Sequence, residues 1–154
     1  SDRIESIFQE VFHSYLANEL KQNFNLRNNN LIVFPDWNQP EDWLYEHLGN
    51  IIYQLARRSD KETTTLLIEA SEVSEEDANL IISGIVMNLL MEEELDVEAG
   101  PDISIVTKLG KLYWQALRSQ LQARILLEHE NQEAIAEASA GLLPICTIDS
   151  LNDN

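Results

Sequence analysis

"LIVFPDWNQPEDW", residues 31–43, is the stretch on which the fold turns. Leu31 to Phe34 is a short apolar, β-prone run. Pro35 closes it, because proline has no N–H to give to a strand ladder. Asn38 and Glu41 then frame Pro40 as an Asn-x-x-Glu box, with Asn38 capping a helix and Glu41 in its third position. Trp37 and Trp43 are placed to clamp this corner by apolar packing. The stretch therefore reads as a strand followed by a helix. Asp36 falls at the strand's carboxyl end, the edge where open α/β sheets meet their ligands.

The alternation continues downstream. A helical pattern from about Glu41 to Arg57 carries Leu44, Leu48, Ile51 and Leu55 on one face. "TTTLLIEA" gives a β-branched strand over Thr64 to Ile68, whose unbroken apolar character implies cover on both faces. Ser74 is the expected cap of the next helix, with Asp77 in the position of its acidic partner. That helix carries a broad stripe of Ala78, Ile81, Ile82, Ile85, Val86, Leu89 and Leu90, with Met87 and Met91 beside it as gap fillers. Ile103 to Thr107 reads as a third strand and Leu112 to Leu121 as a helix. "ARILLEHE" reads as a fourth strand, "NQEAIAEASA" as a short helix and "LLPICTID" as a fifth strand. The expected fold class is α/β: a three-layer Rossmann-like sandwich with a mostly parallel sheet of four or five strands and an additional N-terminal helix.

That N-terminal helix, residues 1–20, places Ile4, Ile7, Phe8, Val11, Tyr15 and Leu16 along one side. It is expected either to pack on the domain and complete it or to form a contact with a partner. An Asn-rich loop, 21–30, separates it from a single α/β domain, 31–150, and a short tail, 151–154. At 154 residues the chain suffices for one domain with a sizeable core, without metal or disulfide.

Composition narrows the functional classes. Apolar residues make up 44% and charged residues 24% of the chain, which is a globular balance. Ten Lys and Arg against 27 Asp and Glu leave a net charge of −17, which disfavours phosphate backbones and anionic lipid surfaces. No nucleic-acid or membrane role is expected, and a basic protein partner is compatible. The acid-rich "MEEELDVEAG" places Glu92, Glu93, Glu94, Asp96 and Glu98 at a helix's end, where the dipole disfavours them and an acidic surface results. The lone Cys146 reads as buried filler in a reducing compartment. With no apolar span near membrane length and no secretory start, a cytoplasmic location is expected.

The strand ends would deliver Asp36, Glu69, Thr107, Lys108, Glu128, His129 and Glu130 to one edge. Candidate catalytic groups are Asp36, Glu69, Glu128 and His129; candidate ligand-binding groups are Asp36, Glu69, Lys108, Lys111 and Glu128. Carboxylates beside a histidine can do acid/base work, and Lys108 and Lys111 lie ahead of a helix that could accept an anion. No metal-ligand spacing, nucleophile elbow or glycine-rich phosphate loop accompanies them, so no metal or cofactor is expected.

Three segments carry a family resemblance: "NNLIVFPDWNQPEDWLYEHLGNIIYQLA", "TTTLLIEASEVSEEDANLIISGIVMNLLMEEELDVEAGPDISIV" and "YWQALRSQLQARILLEHENQEAIA". Together they resemble a region of large, mostly cyanobacterial proteins that join tetratricopeptide repeats or methyltransferase-like parts to glycosyltransferase-like domains. The resemblance covers roughly residues 30 to 138. It implies an α/β domain with glycosyltransferase ancestry or association. The chain departs from the catalytic patterns of such enzymes: it lacks a glycine-rich donor loop, and its nearest D-x-D, Asp96-Val97-Glu98, follows a helix. The leading functional expectation is a non-catalytic acidic α/β domain for protein interaction or assembly, through the N-terminal helix or the acidic surface. The alternative is a glycosyltransferase-related nucleotide-sugar-binding domain or enzyme fragment, with Asp36, Glu69, Lys108 and Glu128 lining a cleft. A purely structural oligomerisation module would show an apolar surface around the first helix.

Overall fold

The corner at residues 31–43 is a strand followed by a helix. In the computed structural model, which describes residues 2–152, β1 (Asn29–Val33) runs into Phe34 and α2 (Glu41–Ala56) begins directly after Pro40. The cap differs from the Asn-x-x-Glu expectation. Pro40 itself holds the capping position, at φ −55°, with no side-chain hydrogen bond to the first turn. Proline is pre-set for that backbone, so the cap sits two residues beyond Asn38, whose side chain instead donates to Glu72 at 2.9 Å.

The remaining elements alternate as expected: β2 (Thr64–Glu69), α3 (Glu75–Glu93), β3 (Asp102–Val106), α4 (Lys111–Arg118), β4 (Ala123–Ile125), α5 (Gln132–Ala138) and β5 (Ile145–Cys146). All five strands are parallel, in the order β3-β2-β1-β4-β5, with Leu31 level with Leu66 on one side and Ala123 on the other. The chain is thus an α/β Rossmann-like sandwich.

Strand alternation builds two cores. Leu31, Val33, Leu66, Ile68 and Ile125 pack against Leu44, Leu48, Ile51 and Leu55 of α2 and Ala78, Ile82 and Ile85 of α3. Ile32, Phe34, Leu67 and Val106 face the other way, onto Trp114 and Leu117 of α4 and Ala134, Ile135 and Ala138 of α5. Ser74 caps α3 as expected, accepting from Asp77 N at 3.1 Å.

Three elements depart from the sequence reading. β4 stops at Ile125 rather than running to Glu130, because Glu130 folds back onto Arg124 of the same strand, Nη1 to Oε2 at 2.9 Å. Met87 and Met91 are exposed rather than filling gaps, and Leu90 is half exposed. The cause is position: α3 covers the sheet at its β3 edge, where Met87 and Leu90 border an open cleft beside Leu95, Val97 and Ile103. Cys146 is half buried on the two-residue edge strand β5, not fully enclosed. Among the described residues, no helix is long and apolar enough to cross a membrane.

A further helix, α1 (Asp2–Asn23), precedes β1. It runs past the limit set by the Asn-rich composition, and β1 already includes Asn29 and Asn30. The connection is short because buried Asn30 organises it: its side chain accepts from Arg27 N at 2.7 Å and donates to the Arg27 and Gln120 carbonyls.

Candidate functional site

The strand order places β1 beside β4 while their connections leave on opposite faces, α2 on one and α5 on the other. In open α/β sheets the loops part at such a point and a ligand lies between them. Here they are tied together. Asp36 N donates to His129 O at 3.1 Å, Asn131 N donates to Phe34 O at 3.0 Å, and Pro35 bridges Glu130 in antiparallel fashion. Trp37, only 6% exposed, packs into the core beneath, and its Nε1 donates to Glu69 O at 2.7 Å. Trp37 N is held by Glu72 Oε1 at 3.2 Å. The crevice is filled with the protein's own hydrogen bonds.

The candidate residues divide accordingly. Asp36 turns toward the start of α2: its Oδ1 accepts from Asn38 N at 3.0 Å and its Oδ2 from Gln39 Nε2 at 3.0 Å. These bonds, the Gln39 side chain first, hold its pKa below the usual aspartate value. Glu69 is 2% exposed, and its Oε1 accepts from Ser71 N at 3.3 Å. Burial pushes its pKa up, and the neighbouring carboxylates of Glu72 and Glu137 push in the same direction. A carboxyl group held toward its neutral form and one held toward its anion therefore lie near the same edge, each bound by its own loop.

Glu128 and His129 lie on the loop after β4, both largely exposed, with His129 Nε2 3.8 Å from Glu128 Oε1. Glu130 turns inward to Arg124 and also accepts from Leu127 N. Lys108 and Lys111 are exposed near α4, and Lys111 lines a surface cleft of about 580 Å³ with Trp114, Arg118 and Glu137. Thr107 is half buried beside Lys108. Among the described residues, no group of three or more His, Cys, Asp or Glu side chains converges in a way that could hold a metal ion. The edge supplies an aromatic cluster instead: Trp43 lies between His47 and His129, with centroids at 4.4 and 5.5 Å, and its buried Nε1 has no hydrogen-bond partner among the described residues.

The open surface lies elsewhere. Only Leu16 and Leu20 of α1 are buried, and every residue from 2 to 15 is exposed. Ile4, Ile7, Phe8, Val11, Phe12 and Tyr15 are all in water, with Phe8 stacked on Phe12 at 6.4 Å. At 3.6 residues per turn, the row of Ile4, Phe8, Val11 and Tyr15 centres about 130° around the helix from the docked Leu16 and Leu20. The apolar positions of α1 thus form two rows rather than one, and the domain uses the smaller. The sequence signal for this was present: Leu16 and Leu20 belong to a different arc from Ile4, Phe8 and Val11.

No family model matches the chain, and no curated protein matches its sequence significantly.

Proposed function

We propose that the chain is a non-catalytic assembly domain and that the outer row of α1 is its protein-docking surface. The observation that carries this reading is the exposure of six large apolar side chains on one helix, of which Phe12 alone borders the cleft that Leu16 shares with Leu112 of α4. They present on the order of 700 Å² of apolar surface, above the few hundred Å² of the largest patch on a typical monomer. The net charge of −17 keeps such a chain soluble while the patch waits for a partner. A second apolar surface, Met87, Leu90 and Met91 of α3, lies on the far core's helix layer and adds to the same picture. The alternative, a nucleotide-sugar site, needs Asp36, Glu69, Lys108 and Glu128 to share a concavity. Asp36 and Glu69 are instead committed to their own loops.

The test is a photo-crosslinking amino acid in place of Phe8, in cells expressing the chain. A discrete protein adduct is expected, lost when Ile4 and Val11 are changed to Glu. A folded chain that forms no discrete adduct would remove the docking surface from consideration.

A further inference from the structure

We infer that the occupant of the outer row of α1 is the same row of a second copy, paired antiparallel across a twofold axis. This rests on reading that row as a docking surface. Ile4, Phe8, Val11 and Tyr15 are spaced by four, three and four residues, the seam spacing of a two-helix coiled coil, and Ile7 and Phe12 widen the seam at its flanks. Six side chains at 43–69% exposure supply on the order of 700 Å², close to the ~800 Å² per partner of a standard specific interface. A twofold pairing needs a self-complementary patch, and this one is. Centred between Phe8 and Val11, an antiparallel pair sets Ile4 against Tyr15 and Phe8 against Val11, so each layer joins one aromatic to one β-branched residue. A parallel pair would stack Phe8 on Phe8 and Val11 on Val11, alternating crowded and thin layers.

Charge selects the same arrangement. Residues 2–15 carry Asp2, Glu5 and Glu10 against Arg3, a net of −2, so −15 of the −17 resides outside the arm. The arm extends about 20 Å beyond Leu16. An antiparallel pair sets the two acidic bodies at opposite ends, more than two screening lengths of about 8 Å apart at physiological salt. A parallel pair sets them side by side. Glu5 in the antiparallel seam lies beside Phe12 of the other copy rather than beside another acid.

Sedimentation equilibrium on the whole chain tests the pairing. A dimer is expected in the micromolar range, and Phe8→Glu should raise its dissociation constant at least about a hundredfold. Ser6→Glu, on the opposite arc of the helix, should leave it unchanged. Phe8 touches no core residue, so the melting temperature of Phe8→Glu serves as the check on folding. Spin labels on Arg3→Cys in a Cys146→Ser background then read direction: about 20 Å apart along the axis if antiparallel, and level if parallel. A monomer throughout the micromolar range, a dimer indifferent to Phe8→Glu, or level labels would each overturn the inference. Binding to anionic vesicles in place of self-association would do the same. A monomer that still crosslinks through Phe8 to a different protein would overturn the self-pairing and leave the assembly reading standing.

Discussion

The carboxyl edge of the sheet and the outer face of α1 are opposites. The edge has the residue types of a site, acids, histidines and tryptophans, but it has used them on itself: Asp36 on Asn38 and Gln39, Trp37 on Glu69, Glu130 on Arg124. The face of α1 has no chemistry to offer, yet its six large apolar groups remain 43–69% exposed. Polar groups left over from folding are rare because burying them unpaired is expensive. Apolar groups left over are informative because water penalises them in proportion to area. In this chain the second kind of surplus is the larger, and it lies on the helix rather than at the sheet edge.

The largest expected effect lies at the ion pair that holds the edge shut. The Glu130 and Arg124 side chains are 6% and 11% exposed, and Arg124 Nε already lacks a hydrogen-bond partner among the described residues. Removing one member of a buried pair strands the other charge, so Glu130→Ala should cost about 3–5 kcal/mol in urea unfolding. Glu128→Ala, two residues away and facing solvent, should stay within about 0.5 kcal/mol. Equal effects from the two would mean that the inward turn of Glu130 does not secure the loop.

A smaller effect sharpens the contrast within α1 itself. Leu20 is 1% exposed and Phe8 69%. Leu20→Ala should lose about 2–4 kcal/mol through lost burial and a cavity, while Phe8→Ala, the larger deletion, should change monomer stability by less than about 0.5 kcal/mol. Measurement at a concentration where the chain is monomeric separates folding from association. A costly Phe8→Ala there would mean that the outer row packs on its own domain.

How much of this was legible in the sequence follows from how local each signal is. The alternation of strands and helices was readable because β-branched runs and 3.6-residue periodicity are properties of a few neighbouring residues, and the Ser74 cap was readable because donor and acceptor are three residues apart. The early end of β4 was not, because it depends on the pairing of residue 130 with Arg124 and Pro35. Asp36 stood at the expected edge, but its direction was set by Pro40 starting the helix and freeing residues 36–39 to form a turn. Periodicity shows which positions of a helix lie together and is silent on which row meets the body. The stripe of α3 therefore gives no warning that Met87 and Met91 lie in water, and the pattern of α1 leaves open whether Phe8 meets the domain or a partner.

The finest contrast is between two acids at the one edge, and pH tells them apart. Burial first, with Glu72 and Glu137 adding, raises the pKa of Glu69 in the folded chain above its ordinary 4.5. The folded state then holds a proton that the unfolded state releases. Its contribution to stability is fully present below pH 4.5 and is lost as pH rises through the folded value. Above pH 4.5 the folded chain must either keep that proton or carry a carboxylate that burial disfavours. Glu69→Gln removes that charge and keeps an oxygen for Ser71 N, so it should be more stable than wild type at pH 7 by about 1 kcal/mol, with the advantage shrinking as pH approaches 4.5 from above. Asp36 has the opposite sign: the Gln39 and Asn38 bonds lower its pKa below 3.8, so its contribution is present above that value and fades as pH falls through the folded one. Thermal melts of Glu69→Gln against wild type from pH 4 to pH 8 check the first sign. A variant destabilised equally at every pH would show that Glu69 is held there by contacts its charge does not oppose.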